Sequence, residues 1–239
     1  MSAGAKGVLH LIPVTLGGDE VRAVLPPATL ASVVALDYFI VENEKSARRF
    51  LKNVPHPLPL QQLQLALFDR HGDAARAAEL LRPLGAGRSA GVLSEAGCPA
   101  IADPGACLVE AAHRAGLRVI SHVGPSALVL ALMAAGFNGQ RFAFHGYLPV
   151  AKEACRREIA RLERESRTHA MTQMVIETPY RNAALLQAFL EVCDGKTRLC
   201  VASDLTLATE TVRSMTISEW RKLKPDIGRQ PSVFLLYAR

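Results

Sequence analysis

Residues 91–105 read Gly-Val-Leu-Ser-Glu-Ala-Gly-Cys-Pro-Ala-Ile-Ala-Asp-Pro-Gly. An apolar run ends in Ser94 and Glu95; glycine and proline then fix a loop ahead of a helix. In a parallel α/β sheet such a loop lies at the carboxyl ends of the strands, where ligands bind. Gly97 would let a ligand come close to main-chain atoms, Pro99 and Pro104 would hold that main chain still, and exposed N–H and C=O groups would do the recognising. A purely structural turn is the other reading of these residues. A second segment, Val123-Gly124-Pro125-Ser126-Ala127, follows the next strand and opens a helix. A hydroxyl and free N–H groups at a helix start suit a ligand carboxylate. An ordinary helix start capped by Ser126 is the alternative.

Other chemistries lack their residues. No G-x-G-x-x-G follows a strand, and neither G-x-x-x-x-G-K-[ST] nor H-E-x-x-H occurs. Ser94 stands in Leu93-Ser94-Glu95-Ala96-Gly97, which misses the G-x-S-x-G elbow of serine hydrolases. The seven histidines are scattered, and none is spaced for a metal. Five cysteines, an odd number without a Cys-x-x-Cys pair, argue against a disulfide framework or zinc knuckle. No metal is expected.

The elements that must position the two segments follow from periodicity and punctuation. Strands are expected at Val8–Val14, Tyr38–Val41, Gly91–Ser94 and Val119–Ser121. Helices are expected at Ala28–Leu36, Glu44–Leu51, Gln61–Arg70, from an Asp73 cap to Leu81 before Pro83, and at Cys107–Ala115. A further helix starts after Gly124-Pro125-Ser126 and stops at Gly136. This alternation predicts a parallel α/β sheet. Beyond it, strands are expected at Arg141–His145, Met174–Ile176, Arg198–Ala202, Glu210–Ser214 and Val233–Tyr237. The helices between are Lys152–Ser166, Asn182–Val192 and Ser218–Leu223. Consecutive strands near the end predict a mixed sheet. The reading is two α/β domains, 1–123 and 124–239, joined near His122–Gly124.

The chain has 239 residues, 49% of them apolar and 21% charged, which excludes disordered and collagen-like classes. Lys and Arg number 28 against 22 Asp and Glu, a net charge of +6. Such a balance permits a nucleic-acid partner. An Arg-rich host composition accounts for it equally. The Met1–Lys6 start lacks the apolar run of a signal peptide. The longest apolar run, Ala127–Ala135, is too short to cross a bilayer. A reduced, cytoplasmic protein is expected, with no membrane partner.

The two loops, Ser94–Gly105 and Val123–Ala127, spaced by one helix and one strand, resemble the S-[DE]-A-G-x-P-x-I-x-D-P-G and P-G-P-S-A pair of the tetrapyrrole methylase superfamily. The likeness is greatest to its ribosomal RNA small subunit methyltransferase I branch. Further matches run in order. Ile12–Gly18 sits at that branch's first glycine loop. Arg141-Phe142 and Gly146-Tyr147-Leu148-Pro149 resemble its "RF…GFLP". Ile176–Arg181 resembles "YESPHR", and Ala202–Thr206 resembles "ARELTK". The ordered set covers nearly the whole chain.

The resemblance implies two α/β domains with S-adenosylmethionine in the cleft between them, and a homodimer. Carried over by position, Leu16, Glu95, Ala96, Gly97, Ala100, Ser126, Ala127, Glu177 and Leu205 would contact the cofactor. The implied activity is methyl transfer to RNA, at a ribose 2′-oxygen of the small ribosomal subunit. A ribose hydroxyl must lose its proton, so Glu177 and then Asp103 are the carboxylates to inspect. A salt bridge from Glu177 to Arg181 and a turn hydrogen bond from Asp103 are the competing roles. Arg181 is a candidate phosphate clamp in substrate binding.

The chain departs from the branch in places. It has Glu95 for Asp, Ala102 for Ser, Tyr180 for His and Leu207 for Lys, and Glu42-Asn43-Glu44 stands where the branch has a Glu-Asp-Thr-Arg type segment. It also ends soon after its last expected strand, without the branch's C-terminal extension. These changes fall on the substrate side more than the cofactor side. Two alternatives therefore stand beside the first reading: a methylase of a tetrapyrrole or other small molecule, and a cofactor- or RNA-binding protein without catalysis.

Overall fold

Four consecutive apolar residues, Tyr38–Val41, form strand β2, and all four are buried. Tyr38 and Ile40 face one core, Phe39 and Val41 the other, as expected of a parallel strand covered on both faces. The computed structural model describes residues 5–69, 71–223 and 227–239. Arg70, at the end of one expected helix, and the first four residues of the expected start lie outside them. Within the described residues the chain divides into two units after Ser126. No described helix is long and apolar enough to cross a membrane.

Unit 1 has strands β1 (Val8–Leu11), β2, β3 (Gln64–Leu67), β4 (Ala90–Leu93) and β5 (Arg118–Ser121). They form one sheet in the order β3-β2-β4-β1-β5, with every pairing parallel. Helices α1 (Pro27–Val34) and α2 (Glu44–Asn53) cover one face, packing Val33, Phe50 and Leu51 on Ile12, Phe39 and Leu93. Helices α3 (Ala74–Gly85) and α4 (Gly105–Arg114) cover the other, packing Leu81, Leu84 and Leu108 on Leu9, Ile40 and Val92. Local chemistry starts the helices. Asn43 Oδ1 accepts from Lys45 N at 2.9 Å, and Asp73 Oδ1 accepts from Arg76 N at 2.8 Å.

Two expectations fail here. The helix expected over Gln61–Arg70 is a short 3-10 turn, Leu60–Gln62, followed by strand β3. Leu63, Leu65 and Leu67 also alternate at the strand period, and pairing of Gln64–Leu67 with Tyr38–Val41 decides the conformation. Pro83 does not stop α3, which continues to Gly85. One helical hydrogen bond is lost there, but buried Leu80, Leu81 and Leu84 anchor the last turns.

Unit 2 opens with α5 (Ala127–Ala135). Its strands are β6 (Phe142–Tyr147), β7 (Thr172–Glu177), β8 (Arg198–Ser203), β9 (Thr211–Thr216) and β10 (Ser232–Tyr237). The sheet order is β6-β7-β10-β8-β9. Only β6 and β7 pair in parallel, so the sheet is mixed, as expected. Helices α6 (Lys152–His169), α7 (Asn182–Val192) and α8 (Ile217–Leu223) cover one face. Ile159, Phe189 and Trp220 pack there on Val175, Leu199 and Phe234. Trp220 Nε1 donates to Leu199 O at 2.8 Å, so its one polar group is satisfied.

Candidate functional site

In unit 1 the chain leaves β2 toward β3 and leaves β4 toward β5, in opposite directions. The crevice at their carboxyl ends is a topological switch point, where α/β sheets bind ligands. Glu42 follows β2 and Ser94 follows β4, so both stand at that crevice.

Three loops meet beside it. Val14 N donates to Gly97 O at 3.0 Å, tying the loop after β1 to the loop after β4. Cys98 Sγ donates to Pro125 O at 3.4 Å, tying the second loop to the one after β5. Thr29 Oγ1 of α1 donates to Val123 O at 2.8 Å. Gly124 packs so tightly on Pro13 that a Cβ would stand 2.4 Å from the proline Cβ. Gly97 has φ +70, and a Cβ there would lie 3.1 Å from Leu16 Cδ2 and 3.4 Å from Pro125 O. The positive φ at 97 favours glycine, and any Cβ there would make Leu16 Cδ2 give way by a few tenths of an ångström. Below the loops, His10 Nδ1 and His122 Nε2 share a hydrogen bond at 2.9 Å, with their rings stacked. Burial pushes both imidazoles below their ordinary values.

Asp103 sits inside the second loop. Its Oδ1 accepts from Ala100 N at 2.9 Å and Gly105 N at 2.7 Å. These bonds span Ala100 and Ala102, which have φ +67 and +64, a region alanine rarely occupies. Among the described residues Asp103 Oδ2 is buried without a partner, and burial pushes the carboxyl up. Glu42 Oε2 accepts from Glu95 N at 3.0 Å. Its carboxyl is also pushed up, first by burial and then by the nearby charges of Asp103 and Glu95. Leu16, Asp19, Arg49, Asn53 and Glu95 line a small adjoining pocket of about 120 Å³.

Unit 1 thus brings Leu16, Glu95, Ala96, Gly97, Ala100 and Ser126 to one edge of one sheet, with Asp103 beneath. Ala127 is the first residue of α5 and belongs to unit 2. Glu177 and Leu205 also belong to unit 2, at the carboxyl ends of β7 and β8. The intervening β10 pairs Ser232 with both Glu177 and Ser203, so the two ends share an edge. Glu177 is buried. Its Oε1 accepts from Thr178 N at 2.7 Å, and its Oε2 lies 3.1 Å from Arg181 Nη2. Leu205 is buried between Asp204 and Thr206, both at positive φ.

Several contributors were not singled out from sequence as parts of the site: Glu42, Thr29, Cys98 and the Pro125 carbonyl. Glu42 carried a usable signal, being the carboxylate that ends a fully buried run. The others act through main-chain contacts that their residue types do not announce.

No protein-family model matches the chain. The chain is 31% identical over 214 residues to "Ribosomal RNA small subunit methyltransferase I" of Vibrio cholerae, covering 89% of this chain and 69% of that one. It is 31% identical over 223 residues to the protein of that name from Thermotoga maritima, covering 92% and 94%. Among solved structures, the methyltransferase CobJ aligns with a TM-score of 0.64 at 18% identity, over 97% of this chain and 94% of that one. Uroporphyrin-III C-methyl transferase from Thermus thermophilus, complexed with S-adenyl homocysteine, aligns with a TM-score of 0.58 at 16% identity, over 97% of both. These two likenesses establish the fold.

Proposed function

Because the chain belongs to the ribosomal RNA small subunit methyltransferase I family, we propose that it transfers a methyl group from S-adenosylmethionine to RNA of the small ribosomal subunit, at a ribose 2′-oxygen. The observation that carries the cofactor half is the convergence of three unit 1 loops on Gly97. The residues present fit the group: fixed main-chain groups of three loops surround Gly97, with Leu16 against it.

S-adenosylmethionine, when bound, supplies a methyl already activated by its sulfonium. The chain's own task is to bind, orient and exclude water. In this reading Leu16 and Ala96 offer apolar contact, and the main chain at Glu95, Gly97 and Ala100 holds the polar ends. Ser126 offers its place at the entry of a helix. Ala127, Glu177 and Leu205 complete the expected set and rest on the resemblance. Asp103 acts as a clamp on the Ala100–Gly105 turn, its Oδ1 holding two N–H groups. Glu177 orients Arg181, and Arg181 meets an RNA phosphate. The net charge of +6 supports an RNA partner. The same reading makes the protein a cytoplasmic homodimer.

Transfer of labelled methyl to small ribosomal subunits from cells lacking the protein tests it, with a tetrapyrrole precursor run in parallel. Label in RNA that protects one linkage from alkaline cleavage is expected. Label in the tetrapyrrole alone, or in neither while the cofactor binds, would overturn the RNA assignment.

A further inference from the structure

Unit 2 carries a pocket that shares only Arg181 with the proposed methyl-transfer site. It opens between α6 and α7, and its volume is about 290 Å³, near the lower end for small-molecule sites. Ala184, Leu185, Ala188 and Cys155 supply an apolar wall, and Lys152 and Arg181 supply cations. Arg181 Nη2 donates to Pro149 O at 3.5 Å, which ties the loop after β7 to the loop after β6. Next to it on that loop, the Tyr180 side chain is 79% exposed. The Arg229 guanidinium lies 5.2 Å from the Tyr180 ring centroid.

Charge selects the occupant. Lys152, Arg156 and Arg181 face the carboxylates Glu177 and Glu191, and Arg156 pairs with Glu191 at 2.9 Å while Arg181 pairs with Glu177. Lys152, whose charge also acts on Glu191, is the cation outside these two ion pairs and the one available to an added anion. An apolar slot lined by cations, with an exposed aromatic residue next to one of them in the chain, has the components that bind single-stranded nucleic acid: stacking surface for a base and positive charge for its phosphate. A double helix offers no free base face to such a slot.

We propose that this pocket, with Tyr180 on the residue adjoining Arg181, holds one unpaired nucleotide of the substrate RNA. The base enters the slot or stacks on Tyr180, and its phosphate meets Lys152. The inference rests on the RNA reading above and adds a subsite to it.

Filter binding of the full chain to RNA extracted from small ribosomal subunits tests the subsite, across a salt series, with methyl transfer to the same subunits measured alongside. Tyr180→Ala should weaken binding about tenfold by loss of stacking. Lys152→Ala should lower the slope of log K against log salt by about 0.7. Ala184→Phe, an exposed position on the pocket wall, should weaken binding by filling the slot. Should Ala184→Phe fail to fold, the other two exposed variants still decide. Wild-type affinity and slope in the folded variants, while the wild-type protein binds and methylates RNA, would overturn the subsite and spare the RNA reading. No RNA binding or methylation by the wild-type protein would overturn both. Sedimentation showing that the variants lose a dimer along with affinity would make the pocket an interface between copies and overturn the subsite.

Discussion

At the carboxyl edge of the first sheet, main-chain groups are held by one another and by the side chains of Cys98 and Asp103. Val14 N meets Gly97 O, Cys98 Sγ meets Pro125 O, and Asp103 gathers the N–H groups of Ala100 and Gly105. At the carboxyl ends of β7 and β8, charged side chains carry the arrangement. Glu177 is paired with Arg181, Thr209 Oγ1 donates to Asp204 Oδ2, and Tyr180 stands exposed. A main-chain edge is rigid and indifferent to most substitutions that keep its backbone. It suits a ligand that never changes, such as a cofactor. A side-chain edge changes its charge and shape by single substitutions and suits a substrate. The departures from the family pattern follow this division in part. Tyr180 and Leu207 lie on the second edge, and the changes at 95 and 102 leave the first edge's backbone bonds in place.

The contrast breaks most sharply at Gly97. Gly97→Val places a branched side chain at φ +70 against Leu16 and Pro125. Calorimetry should show S-adenosylmethionine affinity falling more than a hundredfold. Thermal melts should show a loss of only about 1–3 kcal/mol from backbone strain. Retained affinity would remove the loop from the cofactor site. Asp103 sharpens the same point. Asp103→Ala frees two N–H groups and should cost about 1–3 kcal/mol in cofactor affinity, whereas Asp103→Asn keeps an acceptor at Oδ1 and should bind nearly as the wild type does. Low turnover in Asp103→Asn at normal affinity would instead mark a base.

On the second edge, Arg181→Ala should weaken RNA binding several-fold and flatten its salt dependence, with cofactor affinity kept. It should also lower stability by about 1–2 kcal/mol, because the buried Glu177 carboxylate loses its pair; Arg181 is itself a third exposed, which limits the cost. An unchanged salt slope would take Arg181 out of the RNA site. The smallest effect concerns the His10–His122 pair. Folding lowers both values, so the folded state favours the neutral rings. The resulting stability is complete above about pH 6.5, the unfolded value, and is lost as pH falls from there through the lowered folded values. Urea midpoints between pH 7.5 and 5.5 should fall more steeply in the wild type than in His10→Asn/His122→Asn.

Much of this arrangement is legible in the residues. Tyr38–Val41 and Asn182–Val192 have the expected bounds, because a buried apolar run and an amphipathic stretch following Thr-Pro-Tyr-Arg leave little choice. Gln64–Leu67 misled because its leucines fit both periods, and only its parallel partner β2 resolves them. The converging loops were legible as glycine–proline punctuation. Their locking was not: alanines at positive φ and a cysteine donating to a distant carbonyl are set by tertiary contacts. Glu42 was half legible, since it ends a buried strand, but its bond to Glu95 N depends on β2 lying beside β4.

Amide hydrogen exchange, with and without S-adenosylmethionine, reads whether the main chain of the three unit 1 loops holds the cofactor. Slowed exchange at residues 14–17, 94–105 and 124–127 is the expected result, because a ligand held by main-chain groups covers those amides. Binding that leaves these three segments unchanged, with protection confined to other parts of the chain, would contradict it.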